Sequence, residues 1–285
     1  MKRKLELHPE TVPPPSVTRV FQMIVSEFVP DDLPTINDKL LMLEESWWYY
    51  IDVYRLLYPE LPPSEFSDFV IKAASLVPCL FPMKPALGPN TLERTLSEFN
   101  AYKSNIPCYG AILLDETLEY ILLVQGFGTN KWGLPKGKMK IKEAPMVCAV
   151  REVEEEIGLN IQQYMIEECV ETKLGKKDVT YFFAPYVPIQ SMLQPNSRME
   201  INVIAWHEIQ TVKQEVLRKN QEFNFINGNI LKEILRFVAK KKNTHFDENE
   251  IQVTPNNQVV NDLSFGLMYF LKLYSTAFKS ECLHR

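Results

Sequence analysis

The sequence predicts an α+β protein in two parts, an all-α domain followed by an α/β sandwich. Apolar residues recur every three to four positions before residue 83, as a helix face requires. Short apolar runs bounded by turn residues dominate from 108 to 206, as strands require. At 285 residues the chain also exceeds the roughly 100–200 residues of one domain.

The elements follow in order. Residues 1–15 are charged and then proline-rich, and read as a disordered leader. Residues 16–83 form the helical domain. In it Leu40, Leu43, Trp47, Tyr50 or Ile51, and Tyr54 mark a helix over Asp38–Leu57. Pro59, Pro62 and Pro63 stop that helix, and Ser64 is the expected cap of the next. Residues 84–104, with Pro85 and Gly88-Pro89-Asn90, read as a linker or hinge. Cys108–Asp115 and Tyr120–Gln125 then form a β-hairpin, with further strands at Tyr164–Thr172, Val179–Val187 and Ile201–Trp206. Helices are expected at 143–157, 209–219 and 229–242, which brings the second domain to 105–242. Residues 243–285 read as a flexible tail carrying the apolar segment Leu263–Leu271.

Composition narrows the function classes. The formal net charge of -5 gives no overall attraction for nucleic acid, so RNA binding would need a local basic patch. Five scattered cysteines with no Cys-x-x-Cys pair, and only four histidines, argue against a zinc site and for reduced thiols. The N-terminal residues lack a signal-peptide pattern, and the run from Leu263 is shorter than the ~20 residues of a membrane span. The expectation is a cytoplasmic or nuclear protein with no membrane segment.

One segment carries chemistry. From Gly137 to Leu159 the chain reads Gly, five residues, Glu143, seven residues, Arg151-Glu152, an aliphatic, Glu154, Glu155-Glu156, an aliphatic, Gly158, an aliphatic. Glu152, Glu155 and Glu156 stand at i, i+3 and i+4, so their carboxylates share one helix face. Like charges so placed are costly unless a cation neutralises them, and Mg²⁺ or Mn²⁺ favours such oxygen ligands. Glu143 can pair with Arg151, Gly158 can end the helix, and Gly137 permits close approach of the backbone to a metal. A plain solvated acidic face is the rival reading of the glutamates.

This segment resembles the Nudix box at every defined position. The resemblance implies a Nudix α/β/α sandwich behind an all-α regulatory domain, with Glu152, Glu155, Glu156 and Gly137 as metal ligands. Three more segments resemble the catalytic subunits of the mRNA-decapping family: Tyr102–Asp115, Lys131–Lys138 and Arg198–Trp206, with Leu134 where that family usually has Phe. They imply hydrolysis of capped mRNA to 7-methylguanosine diphosphate and 5′-monophosphate RNA. Glu200 then becomes a general-base candidate beside catalytic Glu156, and Lys136 a phosphate contact, against the bland readings of a strand-end glutamate and a surface lysine.

The helical domain carries Trp48 and Asp52, which resemble the family's cap-binding pair. An indole stacks on a cationic methylated guanine with ~0.5–2 kcal/mol, while a carboxylate accepts from the base edge. The expectation places Trp47 in the core and Trp48 at the surface. Lys232, Arg236 and Lys240 recur on one helix face and suit a phosphate backbone, with a solvated face as the alternative. Residues 222–228 depart from the family, leaving a cap contact from Phe225 in doubt. The resemblance further implies an activator subunit docked on the helical domain, domain closure about the linker, further decapping enhancers bound through the tail, and residence in cytoplasmic P-bodies. The rival functions are a Nudix pyrophosphatase on free dinucleotides or nucleotide sugars, and a non-catalytic scaffold binding cap or RNA.

Overall fold

The computed structural model describes residues 16–175, 177–195 and 200–247. The expected leader, residues 196–199 and most of the tail therefore lie outside the described residues. The chain divides into two compact units, Met1–Ser104 and Asn105–Arg285.

In the first unit, Ser16 caps helix α1 (Val17–Phe28), and Thr35 with Asp38 forms a reciprocal capping box at α2 (Ile36–Tyr49). The expected long helix is present, but it widens into a π-helical turn over Tyr50–Tyr54 before ending at Leu57. That turn puts Tyr50, not Ile51, into the core. There its ring meets Phe21 and Phe69, and its hydroxyl donates to the Pro62 carbonyl at 2.7 Å. Ser64 does not cap α3 (Phe66–Leu76). The N-cap is Glu65, without a side-chain cap bond, and the Ser64 hydroxyl donates to the Glu65 carbonyl.

The expected linker 84–104 is not irregular chain. It is made of a 3₁₀ helix (Pro78–Leu87) and helix α4 (Leu92–Asn105). Buried Thr95 and Phe99 anchor α4, and Tyr102 donates to Asp38 at 2.8 Å, so this segment is packed into the helical unit. Its weakly apolar composition concealed a helix held by a few large contacts and polar bonds.

The second unit is a mixed sheet between helices. Its strands are β1 (Cys108–Asp115), β2 (Tyr120–Gly126), β3 (Trp132–Gly133), β4 (Lys136–Lys138), β5 (Cys169–Leu174), β6 (Lys177–Val187) and β7 (Ile201–Glu208). The order runs β3-β2-β1-β6-β5, with β4 also pairing β1 and β7 also pairing β2. Among the described residues only β1 and β6 pair in parallel. The expected strand at Tyr164 starts later, because Gln162–Tyr164 is a 3₁₀ turn.

Strand alternation assigns the two faces. Ala111 and Leu113 join Val153 and Ile157 of helix α5 (Pro145–Ile157) in one core. Ile112 and Leu114 join Ile209 and Val212 of α6 (Ile209–Leu217) and Ile230, Ile234 and Phe237 of α7 (Gly228–Lys242) in the other. Apolar burial on both faces, at about 25 cal/mol per Å², is what fixes α5 and everything it carries against the sheet. Among the described residues no helix is long and apolar enough to cross a membrane.

Candidate active site

The site is assembled where β4 lies beside β1 and under the flank of α5. Gly110 of β1 opposes Lys136 of β4, and Tyr109 opposes Gly137. A Cβ on Gly110 would lie 2.1 Å from the Pro135 carbonyl oxygen, so only glycine lets the two strands close here. Gly137 plays a different part. Its missing Cβ would fall 1.9 Å from Oε2 of Glu152, so the carboxylate occupies the space that a side chain would take.

Helix α5 starts with Pro145 as its first residue and ends at Gly158, which adopts φ 76° and caps it. Between them, Arg151 is the hub. Its Nε and one Nη donate to the two oxygens of Glu143 at 2.7 and 2.8 Å, and the same Nη also donates to the Lys138 carbonyl at 3.0 Å. This fork ties the loop before α5, the end of β4 and the helix itself into one rigid piece. Burial would raise the Glu143 pKa, but Arg151 and the Lys140 N–H hold it down at about 2. Against burial, Glu143 and Glu152 keep Arg151 firmly charged, and burial pushes the adjacent Cys148 thiol up.

The remaining Nη of Arg151 donates to Glu152 at 2.7 Å and reaches Glu155 at 3.4 Å. Glu156 is only 7% exposed and accepts the Lys136 backbone N–H at 3.0 Å. Burial lifts Glu152 to about 7 despite Arg151, with Glu155 and Glu200 adding repulsion. Burial lifts Glu156 to about 8, against the pull of Lys136 and with repulsion from Glu200 and Glu152. Glu200, at the start of β7, is exposed, and its carbonyl accepts the Phe127 N–H at 2.9 Å.

The structure thus brings together Glu143, Arg151, Glu152, Glu155, Glu156, Gly137 and Lys136, with Glu200 in electrostatic reach. It does not make Glu152–Glu156 a solvated face. The fit to a hard cation rests on the donor set: all oxygen, buried, mutually repelling, and backed by a glycine that leaves room. Among the described residues, however, no three acidic, histidine or cysteine side chains already converge as ligands, since Glu152 and Glu155 are turned onto Arg151.

Elsewhere the outcome is mixed. Trp47 packs in the helical core and donates to the Ser64 carbonyl at 2.8 Å, while Trp48 is 37% exposed with its ring tilted on Trp47. Asp52 lies within the π turn, a form of helix frequent at functional sites. On α7, Arg236 pairs with Glu233 one turn back, and Lys240 with Glu168 at 3.0 Å, so the expected basic face is partly neutralised, by one acid of the same helix and one far away in sequence. Phe225 packs against Gly133, with the Lys131 ammonium 5.5 Å from its ring. Sequence reasoning missed the backbone partners, namely the Lys136 N–H and the Lys138 carbonyl. A glycine inside strand β1 was the signal that some backbone comes close there.

The NUDIX domain family matches residues 105–227, spanning the site just described. The m7GpppN-mRNA hydrolase of Saccharomyces cerevisiae is 29% identical over 218 residues, covering 75% of this chain and 22% of its own length. The m7GpppN-mRNA hydrolase dcap-2 of Caenorhabditis elegans is 30% identical over 247 residues, 80% of this chain and 30% of that protein. The mRNA-decapping protein g5R of African swine fever virus is 30% identical over 206 residues, 67% of each chain. The chain belongs to the Nudix family, among its mRNA-decapping proteins. It spans less than half the length of the yeast and worm enzymes, and the matched 75% and 80% of this chain are more than the second unit alone can supply, so both matches reach into the helical unit.

Proposed function

We propose that this chain is a decapping hydrolase that cleaves the triphosphate bridge of capped mRNA, releasing 7-methylguanosine diphosphate and 5′-monophosphate RNA. The observation that carries the reading is the pair Glu152 and Glu156, buried against the Lys136–Gly137 strand with pKa values pushed up to about 7 and 8. Burying repelling acids is expensive, and a site that takes a divalent cation and a polyphosphate gives that arrangement a use.

Glu152, Glu155, Glu156 and the Gly137 carbonyl would hold Mg²⁺ or Mn²⁺. Such an ion polarises phosphoryl oxygens and makes hydroxide available near neutral pH. Glu200 takes the proton of the attacking water, and Lys136 offsets charge on the phosphates. Glu143, Arg151 and Gly158 hold the box in shape. In the helical unit Trp48 stacks on the cationic guanine and Asp52 accepts from its edge. Lys232, Arg236 and Lys240 track the RNA backbone without reading sequence, Arg236 and Lys240 exchanging their acidic partners for phosphates. A decapping activator on the helical unit, further enhancers on the tail, and a cytoplasmic site of action including P-bodies complete the proposal.

The test is cap-labelled RNA incubated with Mg²⁺ or Mn²⁺, wild type against Glu156→Gln. Labelled 7-methylguanosine diphosphate is expected from the wild type alone; equal rates would remove Glu156 from the chemistry.

A further inference from the structure

We infer that a cavity beside strand β1 is a nucleobase subsite, in which the Tyr109 ring stacks on a base of the RNA near the cleaved phosphates. The inference rests on the cap-hydrolase reading above and deepens it.

Strand register places the ring. Tyr109 lies between Gly137 of β4 and Thr180 of β6, and Thr180 in turn opposes Glu171 of β5. Its neighbour Cys108 points into the core under α6 and α7, while Ala111 points under α5. Alternation therefore puts Tyr109 on the α5 side, the side on which Glu152 fills the space left by Gly137. Adjacent strands are about 4.8 Å apart, so the ring stands one strand from the seat of the carboxylates.

The ring is half-buried and lies nearly parallel to Phe182, at 23° with centroids 6.5 Å apart. An aromatic side chain fixed in this way gives up little freedom when a second flat group is laid on it. Beside it is a cavity of ≈ 580 Å³ lined by Tyr109, Glu171, Thr180, Lys173, Asn227 and Asn229 among others. That volume falls within the usual 300–1,000 Å³ of small-ligand pockets.

The charges favour a base over a phosphate. Lys173 is paired with Asp178 at 3.1 Å, and Glu171 adds a further negative charge, so an anion would be repelled. Thr180, Glu171 and Asn229 instead offer the donors and acceptors that a base edge needs. Asn229 is the second residue of α7 and Asn227 its N-cap, so the start of that helix lines the cavity.

The test uses the full chain and capped RNAs, intact or with an abasic nucleotide at the first, second or third position. Wild type is compared with Tyr109→Leu, which keeps apolar bulk without a π face, and Tyr109→Phe, which keeps both. On intact RNA, Tyr109→Leu should weaken binding about tenfold, measured by anisotropy and by KM with kcat little changed, whereas Tyr109→Phe should not. One abasic position should weaken wild type equally and leave Tyr109→Leu unaffected. If Tyr109→Leu weakens intact and abasic RNAs alike, or no abasic position affects wild type, the subsite is refuted. Because the wild-type comparison needs no variant, a poorly folded Tyr109→Leu leaves the decision intact. Normal binding differences without any cleavage would instead count against cap hydrolysis.

Discussion

Gly137→Ala isolates the function of one carboxylate from the stability of the fold. The new Cβ would stand 1.9 Å from Oε2 and 2.0 Å from Cδ of Glu152, where ordinary contact begins at 3.4 Å. The carboxylate must therefore retreat by about 1.5 Å. What moves is the far end of a flexible side chain, not backbone, so the strand can absorb the methyl group with a loss of roughly 1 kcal/mol, the low end for overpacking. The displacement also breaks the 2.7 Å bond from Arg151 to Glu152. A misplacement of about 1 Å at reacting groups lowers rates on the order of 100-fold. Cap hydrolysis by Gly137→Ala should thus fall about 100-fold in kcat, with a melting temperature within a few degrees of wild type. The assay is single-turnover release of labelled cap product at saturating metal, alongside a thermal melt. A kcat within twofold of wild type would refute the placement of Glu152 as a working ligand.

The other expectations differ in kind. Gly158→Ala should destabilise by about 1–3 kcal/mol in chemical denaturation, since φ 76° disfavours a side chain and the Cβ would meet the Gln194 carbonyl oxygen at 2.2 Å; a neutral change would refute the helix cap. Glu143 has a depressed pKa, so its pairing with Arg151 stabilises above pH about 4.5 and is lost as pH falls towards about 2. Glu143→Gln should therefore cost on the order of 3 kcal/mol near neutrality and almost nothing at pH 2, a convergence that urea titrations at both pH values can check. Glu152 and Glu156 have raised values, so without metal the protein should lose stability as pH rises from about 4.5 through 7 and 8. Added Mg²⁺ or Mn²⁺ should reverse that loss, and less so in Glu156→Gln; a melt unaffected by metal at pH 8 would contradict the cation site. Trp48→Ala should weaken binding of a cap analogue while leaving uncapped RNA binding intact, and equal loss of both would argue against stacking.

The sequence made the site more legible than the domain boundary, for a physical reason. Glu152, Glu155 and Glu156 are related by helix geometry, and Glu143 and Arg151 by a spacing that the structure closes into a bidentate pair at 2.7 and 2.8 Å. Both relations are local and could be read from the chain. Helix α4 gave no such signal: its buried Thr95 and Phe99 and its Tyr102 hydroxyl find their partners far away in sequence, as in the bond to Asp38. The acid that pairs with Lys240 of α7 was hidden in the same way, Glu168 lying 72 residues away, whereas Glu233, three residues from Arg236, stood in plain view.

The π turn shows the same limit at finer grain. Periodicity left Tyr50 and Ile51 as alternatives, because an α-helical count cannot register the widening of a turn. Burial of Tyr50, with its hydroxyl on the Pro62 carbonyl, settles the choice. It also sets where Trp48 and Asp52 emerge, since both flank the residue that the core holds fixed. A large buried tyrosine between them is thus what orients the proposed cap-binding pair. Relaxing the turn, as by shrinking Tyr50, should disturb cap recognition even though Tyr50 itself is fully buried in the helical core.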